Sequence, residues 1–403
     1  MADSCAVNTD VESPGKRART DAAVDGSVVS GLQHPRRPAR IAVVGAGSWS
    51  QGWHLPQLAC NPEAEIAAIV EPADLTWSAY NPRMRLAKEL AEFYRVPLFR
   101  DIVDLLQSES AQSLDGVIVA TSHSSHYDVG MKALKAGLHV MMEKPMTADV
   151  QQAQELTKAS ASSGKILMVN NSANFRPQAF RAQELVRAGK VGEIEHVSCF
   201  MIRERAFFDH PENTAWCRPC GSMVGNGFAW GQLSHTLAWV FMVTGLCPAS
   251  VFCRMVYSKK SGADLYDSAS IGCTNGASIA VQGIASMPGA ALKSGKLIEN
   301  KIFGTDGCLF YSGDDVDPTS GNLVLMRHDG ENETCPLGFH FENTAQEGTG
   351  PESLQAFIQA CLGQPIRNAA DAEIGLKVVQ TIDAMYRSAK SGLAETISMT
   401  VAS

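Results

Sequence analysis

The chain has 403 residues, a length that accommodates two domains of ordinary size. Hydrophobic residues make up 45% of it and charged residues 19%, which is typical of a globular protein, and no apolar run is long enough to cross a bilayer. The formal net charge of −8 argues against binding of the whole protein to nucleic acid or to an anionic membrane.

Residues 1–38 differ in composition from the rest of the chain. They contain few large apolar side chains, so we expect a disordered tail. The tail has no apolar core of a secretory signal, and its acidic residues argue against an organelle transit peptide, so we expect a cytoplasmic protein. The basic run Lys16–Arg19 is either a nuclear-import patch or part of a solvated tail, and we favour the tail.

The eleven cysteines are mostly scattered singly, as in reduced cytosolic proteins. Cys217 and Cys220 form the one close pair. Zinc would need a second pair or histidines at ligand spacing, and neither is present. We therefore predict no metal site.

The first half of the chain alternates short apolar runs with segments of helical spacing. We predict a doubly wound parallel α/β sheet with helices on both faces, that is, a Rossmann domain over residues 39–164. The predicted strands are Arg40–Val44, Glu65–Val70, Asp115–Ala120, Leu138–Met142 and Lys165–Val169, and the predicted helices are Pro82–Tyr94, Ser125–Ala136 and Thr147–Ser162.

A glycine-rich turn follows the first strand. Gly45 and Gly47 allow a tight turn and a close approach of backbone to a pyrophosphate, and Ser48 and Trp49 begin the helix whose N-terminus would face that anion. Ser50 stands where a third glycine is usual. The context of strand, turn and helix predicts a dinucleotide-binding site.

Glu71 ends the second strand at the distance where an acidic residue binds the ribose hydroxyls of a dinucleotide. A carboxylate there would repel a 2′-phosphate, which favours NAD over NADP. Arg83 and Arg85 are close in sequence and keep NADP open.

Glu143-Lys144-Pro145 follows the strand at Leu138–Met142, where residues just past a parallel strand line the ligand crevice. A lysine there can hydrogen-bond a substrate oxygen and share its proton. With the turns before and after it, this motif resembles the Gfo/Idh/MocA oxidoreductases. The resemblance is carried in chain order by the glycine turn, Ala120-Thr121-Ser122 with His126, Ala136-Gly137-Leu138-His139-Val140, Glu143-Lys144-Pro145, Asn174-Phe175-Arg176 and Gly189–Ile194.

The resemblance implies a second α/β domain over residues 165–403, built on a large, mostly antiparallel sheet that we expect to form a homo-oligomer interface. The sequence agrees, since six segments have strand character and two have helical spacing. The strands are Val197–Ile202, Ala249–Tyr257, Ser268–Cys273, Ser278–Ala285, Leu297–Phe303 and Leu323–Arg327, and the helices are Pro351–Leu362 and Ala370–Ser391.

The family places an aspartate four residues before a histidine on a helix at the substrate pocket. His235 matches the histidine, but Gly231 stands at the aspartate position. Trp230 or Gln232 is a candidate to position the substrate instead, and Trp230 with Phe228 suggests a wall for a sugar ring.

Further candidates border the expected cofactor or substrate. Thr121, His123 and His126 follow the third predicted strand, and Glu143 and Lys144 follow the fourth. Arg176 would contact the cofactor or brace the domain junction. The loop His340–Gln346, with Asn343, is a candidate to close over the site.

The resemblance implies an NAD(P)-dependent oxidoreductase that transfers a hydride between a sugar, polyol or cyclitol-like substrate and nicotinamide, with Lys144 and His235 as catalytic residues. Because Gly231 departs from the family pattern, two alternatives stay open. One is an oxidation and elimination on a glycoside that restores the cofactor, and the other is a catalytically silent dinucleotide-binding regulatory protein.

Overall fold

The structure is a computed structural model that describes residues 37–76, 84–209, 223, 226–287, 295–342 and 351–398. The basic run at residues 16–19, the Cys217 and Cys220 pair, Arg83 and Asn343 lie outside the described residues. Among the helices that are described, none combines the length and apolar character needed to cross a membrane.

The first sheet has six parallel strands in the order β3-β2-β1-β4-β5-β6. This is the order of a doubly wound dinucleotide-binding fold. Strands are added outward from β1 on one side and from β4 on the other, and a crevice lies where the strand order reverses between them. All five predicted strands are present, and a short sixth strand, β3, was not predicted. The strands are β1 Ala39–Val44, β2 Ala64–Val70, β3 Leu98–Phe99, β4 Gly116–Val119, β5 His139–Met142 and β6 Leu167–Val169.

Helices cover both faces of this sheet. A π-helical turn at Ser50–His54 leads into the first of them, α1. The helix predicted at Pro82–Tyr94 begins only at Ala87, because Glu89 accepts a hydrogen bond from the N–H of Leu86 and caps the helix there. The helices are α1 Leu55–Cys60, α2 Ala87–Tyr94, α3 Ile102–Gln107, α4 His126–Lys135 and α5 Val150–Ser163.

The second sheet has nine strands in the order β14-β13-β12-β11-β7-β10-β9-β8-β15, and it is antiparallel except where β7 pairs with β10. The six predicted strands are present, while β12, β14 and β15 were missed. The strands are β7 Ile194–Glu204, β8 Pro248–Tyr257, β9 Asp264–Cys273, β10 Ser278–Met287, β11 Leu297–Gly304, β12 Gly307–Asp314, β13 Leu323–Arg327, β14 Glu333–Cys335 and β15 Glu395–Thr396.

The remaining helices join the two sheets. α10 packs against both α5 and β8, and α9 packs against β1 and β5 of the first sheet. The N–H of Val169 donates to the carbonyl of Ala370, 2.8 Å away, so the last strand of the parallel sheet is tied to the C-terminal helices. The helices are α6 Pro177–Arg187, α7 Ala206–Asp209, α8 Ser234–Thr244, α9 Glu352–Cys361 and α10 Ala372–Ser391.

Candidate active site

The glycine turn lies at the carboxyl end of β1. Gly45 has a φ of +96°, and a Cβ built there would lie 2.5 Å from the carbonyl oxygen of Ala120 at the end of β4. A Cβ at Gly47 would meet no atom within 4 Å. The first glycine is therefore required by the approach of β4, whereas the second leaves open space at the crevice.

The serine in the third position closes this turn. Ser50 is buried, and its hydroxyl donates to the carbonyl of Gly45 over 2.5 Å. Ser48 is half-buried where the helix begins, and Trp49 is 47% exposed beside it. The loop thus keeps a compact conformation without its third glycine and presents the helix N-terminus to the crevice.

Glu71 lies beside the glycine turn, as the spacing predicts. Its buried carboxylate accepts hydrogen bonds from the N–H of Ala46, at 2.7 Å, and from that of Ala73, at 3.0 Å. Arg85 lies over the ring of Phe93 instead, with 4.1 Å between its guanidinium carbon and the ring centroid. The acidic side chain therefore stands next to the open space at Gly47.

Glu143 is the centre of a hydrogen-bond network behind the crevice. Its Oε1 accepts from Trp49 Nε1 at 2.9 Å, from His54 Nε2 at 2.8 Å and from Asn170 Nδ2 at 2.7 Å. Burial opposes its charge, but the hydrogen bond and charge of His54, the Asn170 amide and Lys144 outweigh burial and lower the pKa of Glu143 to about 2. The carboxylate is therefore ionised and links the glycine loop to β5 and β6.

Lys144 points from the end of β5 toward the second domain. Its Nζ donates to the carbonyl oxygen of Gly231 over 2.7 Å. Burial lowers the pKa of Lys144 from its ordinary 10.5 to about 8, with the anions Glu342 and Glu143 acting in the opposite direction. An ammonium with such a pKa can give and take a proton near neutral pH.

The two histidines after β4 hold the walls of the site. The ring nitrogens of His126 lie 3.0 Å from the carbonyl oxygen of Pro145 and 3.3 Å from that of Thr121. His123 is nearly buried, and its Nδ1 lies 3.3 Å from Met223 Sδ. Burial lowers the pKa of both histidines, so both rings are neutral at neutral pH. His126 thus braces Thr121 against the Lys144–Pro145 segment.

His235 comes to the same place from the start of α8. It is buried, and its Nε2 lies 3.3 Å from Oε2 of Glu342. Burial lowers the pKa of His235 to about 3, although Glu342 favours the charged form. Lys296 forms an ion pair with the same oxygen of Glu342. Burial opposes the charge of Glu342, yet His235, Lys296 and Lys144 lower its pKa to about 2.

The structure does not bring every predicted residue to this cluster. Phe228 and Trp230 are fully buried, where Phe228 packs on Phe208 and Trp230 stacks on Tyr386 with ring centroids 6.1 Å apart. The expected aromatic wall is therefore part of the core in this structure. Gln232 is also buried, and its Oε1 has no hydrogen-bond partner among the described residues.

Arg176 binds two residues of the C-terminal part of the chain. Its Nη1 donates to Glu352 over 2.7 Å, and its Nη2 lies 3.4 Å from the carbonyl oxygen of Glu342. Only 3% of its side chain is exposed. These contacts favour bracing over contact with a cofactor.

Four residues of the site were missed by sequence reasoning. His54 and Asn170 bind Glu143, and Lys296 and Glu342 bind each other beside His235. The loop containing Glu342 was expected near the site, but the glutamate itself carried no spacing signal. No group of three potential metal ligands occurs in the part of the chain that the structure describes.

Both halves of the chain match models of one protein family. Residues 39–171 match the model described as an oxidoreductase family with an NAD-binding Rossmann fold, and residues 180–310 match that of the GFO/IDH/MocA C-terminal domain. Together these models span more than half of the chain.

Individual relatives match over shorter stretches. The chain is 32% identical over 158 residues to the dTDP-3,4-didehydro-2,6-dideoxy-alpha-D-glucose 3-reductase of Actinomadura kijaniata, which covers 39% of this chain and 43% of that protein. It is 29% identical over 158 residues to the D-glucoside 3-dehydrogenase of Escherichia coli K12, and the match covers 39% of this chain and 41% of that protein. The chain spans less than half the length of these curated relatives.

A solved structure is similar over nearly the whole described chain. The aldose-aldose oxidoreductase of Caulobacter crescentus, crystallised with glycerol, superimposes with a TM-score of 0.67 at 20% identity. The match covers 89% of this chain and 100% of the other. This likeness shows a common fold.

Proposed function

Because the chain belongs to the Gfo/Idh/MocA oxidoreductase family, we propose that it is an NAD-dependent oxidoreductase acting on a CH–OH group of a sugar-like or cyclitol substrate. The observation that carries the proposal is the meeting of Lys144 from the first sheet with His235 from the second domain, both buried and both with lowered pKa values. Perturbed ionisable groups gathered in a crevice are typical of active sites.

The crevice fits a dinucleotide. The backbone at Gly45 and Gly47, the helix start at Ser48 and the carboxylate of Glu71 would hold it, since open space adjoins Gly47. When bound, the nicotinamide ring supplies the acceptor or donor of a hydride. Glu71 supports NAD over NADP, because its carboxylate would repel a 2′-phosphate.

Lys144 is proposed as the group that holds and moves the proton of the reacting hydroxyl. With a pKa of about 8, a useful fraction of Nζ is uncharged near neutral pH and can take that proton during oxidation. In the reverse direction the ammonium returns the proton to the carbonyl oxygen. The carbonyl of Gly231 fixes Nζ in the site.

His235 is proposed to orient the substrate. Its ring is neutral at neutral pH, since its pKa is about 3, and neither ring nitrogen has a hydrogen bond of good geometry within the described residues. A neutral imidazole can donate to one hydroxyl and accept from another. It thus suits a polyhydroxylated substrate, in line with relatives named for chemistry at carbon 3 of a glucose unit.

The second sheet supports the expected homo-oligomer. Phe252, Val256 and Tyr257 of β8 are large apolar side chains with exposures of 39%, 58% and 44%. Exposed apolar side chains on a sheet are a feature of interfaces between subunits. Sedimentation velocity of the full chain tests it, and a monomer at micromolar concentration would contradict the assignment.

A substrate screen tests the proposed activity. The full chain is assayed against sugars, polyols and cyclitols with NAD and with NADP, by the absorbance of the reduced nicotinamide. We expect turnover with NAD that Lys144→Ala reduces by about 100-fold or more. Lys158→Ala, which removes an exposed lysine of α5, is the matched control and should keep full activity.

Three results would contradict the proposal. Full activity of Lys144→Ala on an identified substrate would exclude the proton role of that residue. Tight binding of NAD without turnover across the panel would favour the silent regulatory protein, and a product formed without net reduced cofactor would favour oxidation with elimination.

A further inference from the structure

We propose that Glu342 and Lys296 form a buried ion pair that positions His235 and acts electrostatically on Lys144, and that Glu342 supplies the carboxylate that Gly231 lacks. The inference rests on the proposed function, because it assigns positioning residues to the same site. Its evidence is the geometry around one carboxylate oxygen, Oε2 of Glu342.

That oxygen contacts two cationic or potentially cationic groups. It lies 3.3 Å from His235 Nε2, and it forms the ion pair with Lys296 Nζ. The side chains of Glu342 and Lys296 are only 12% and 11% exposed. A buried carboxylate needs such partners, since a charge without them is strongly destabilising inside a protein.

The backbone around Glu342 is fixed from two sides. The N–H groups of Phe341 and Glu342 donate to the carboxylate of Asp315, at 2.8 and 3.2 Å. The carbonyl oxygen of Glu342 accepts from the hydroxyl of Ser172, at 3.0 Å. The glutamate is therefore held in place by Ser172, which follows β6 of the first sheet, and by Asp315, which follows β12 of the second, and is not a mobile surface residue.

The helix position of Gly231 offers a carbonyl instead of a carboxylate. Its oxygen already binds Lys144 Nζ. A Cβ at Gly231 would lie 3.0 Å from Asn226 Oδ1, a contact tighter than most real ones. An acidic side chain there would need Asn226 to move, whereas Glu342 already lies 3.3 Å from His235.

The two members of the pair act on Lys144 with opposite signs. Burial is the largest influence on Lys144 and lowers its pKa. Glu342 and Glu143 raise that pKa, while Lys296 and Arg203 lower it. The pKa of Lys144 is therefore set by opposing influences, and the two members of the pair shift it in opposite directions.

His235 depends on the pair in the same way. Beyond burial, which lowers its pKa, the charges that face it are Glu342 and Glu143, which raise the pKa, and Lys144 and Lys296, which lower it. The Nε2 of His235 lies 3.3 Å from Oε2 of Glu342, so the charge of that carboxylate acts on the ring at short range.

The test measures the titration of Lys144 in the full chain without substrate or cofactor. Protein labelled with 13C at lysine Cε is followed by NMR between pH 6 and 11, and the Lys144 signal is identified by its loss in Lys144→Met. We expect Glu342→Gln to move the Lys144 titration down by about one pH unit and Lys296→Met to move it up by a similar amount.

A matched ion pair provides the control. Lys301 and Glu299 lie on β11 with 2.6 Å between their charged atoms and exposures of 37% and 39%. Glu299→Gln and Lys301→Met should leave the Lys144 titration unchanged. If Glu342→Gln does not fold, Lys296→Met alone tests the pair, and an unchanged or lowered Lys144 titration in that variant would overturn it.

The outcome separates this inference from the proposed function. Shifts of the same sign, or no shift, in the two variants would overturn the role of the pair whether or not the enzyme turns over a substrate. Opposite shifts support it even if the substrate screen fails. Once a substrate is known, the low-pH limb of kcat/KM should move in the same directions.

Discussion

Replacement of Glu143 by glutamine tests the network that joins the glycine loop to the catalytic strand. The pKa of this carboxyl falls from its ordinary 4.5 to about 2 in the folded chain. Since each pKa unit corresponds to about 1.4 kcal/mol, the ionised form contributes about 3 kcal/mol to the free energy of unfolding. Glutamine keeps one acceptor but presents an amide to the donors of Trp49, His54 and Asn170.

The pH dependence has a definite sign. Because the folded-state pKa is depressed, the contribution of Glu143 is fully present above pH about 4.5 and is lost as the pH falls toward about 2. We therefore expect Glu143→Gln to be destabilised by about 3 kcal/mol at pH 7, with a difference from the wild type that narrows on acidification.

Urea denaturation followed by tryptophan fluorescence measures this difference at pH 7 and at pH 4. Glu92→Gln is the matched control, since Glu92 is 67% exposed and lies 3.8 Å from Lys88. It should change stability by less than about 0.5 kcal/mol. A Glu143→Gln variant as stable as the wild type at pH 7, or one with the same deficit at both pH values, would refute the assignment.

Two further predictions concern the loop and the core. Gly45→Ala should destabilise the fold by about 2 kcal/mol and abolish NAD binding, because its Cβ would collide with the carbonyl of Ala120. Gly47→Ala should leave thermal stability unchanged, because its Cβ would meet no atom within 4 Å, and should weaken NAD binding measured by calorimetry. A loss of stability in both variants would contradict this. Burial and Asp264 raise the pKa of Asp267 well above its ordinary 3.8, so stability falls as the pH rises above that value, because the carboxyl ionises in the unfolded chain while the folded chain still holds its proton. Asp267→Asn should therefore raise the melting temperature more at pH 9 than at pH 5, and equal changes at both would contradict the reasoning.

The sequence predicts the parallel sheet well because its strands are short, apolar and regularly spaced. Glu143 and Lys144 were also predictable, since their position after β5 is a local feature of the chain. The Lys296 and Glu342 pair was not, because 46 residues separate its members and neither forms a local motif. The position of Trp230 could not be predicted for a different reason: an aromatic residue before a helix can pack in the core or face a substrate, and the sequence does not distinguish the two.

The proton affinity of Lys144 is a property of the packing between the two sheets. The lysine follows β5 of the first sheet, while Gly231 lies in the helical turn before α8, His235 lies in the first turn of α8 and Glu342 follows β14 of the second sheet. Separating the domains would expose Lys144 to water and restore its ordinary pKa, since burial is the largest cause of the shift. Correct docking of the domains is therefore required for the proposed chemistry, and any substitution at the junction that loosens the packing should raise the pH at which Lys144 loses its proton.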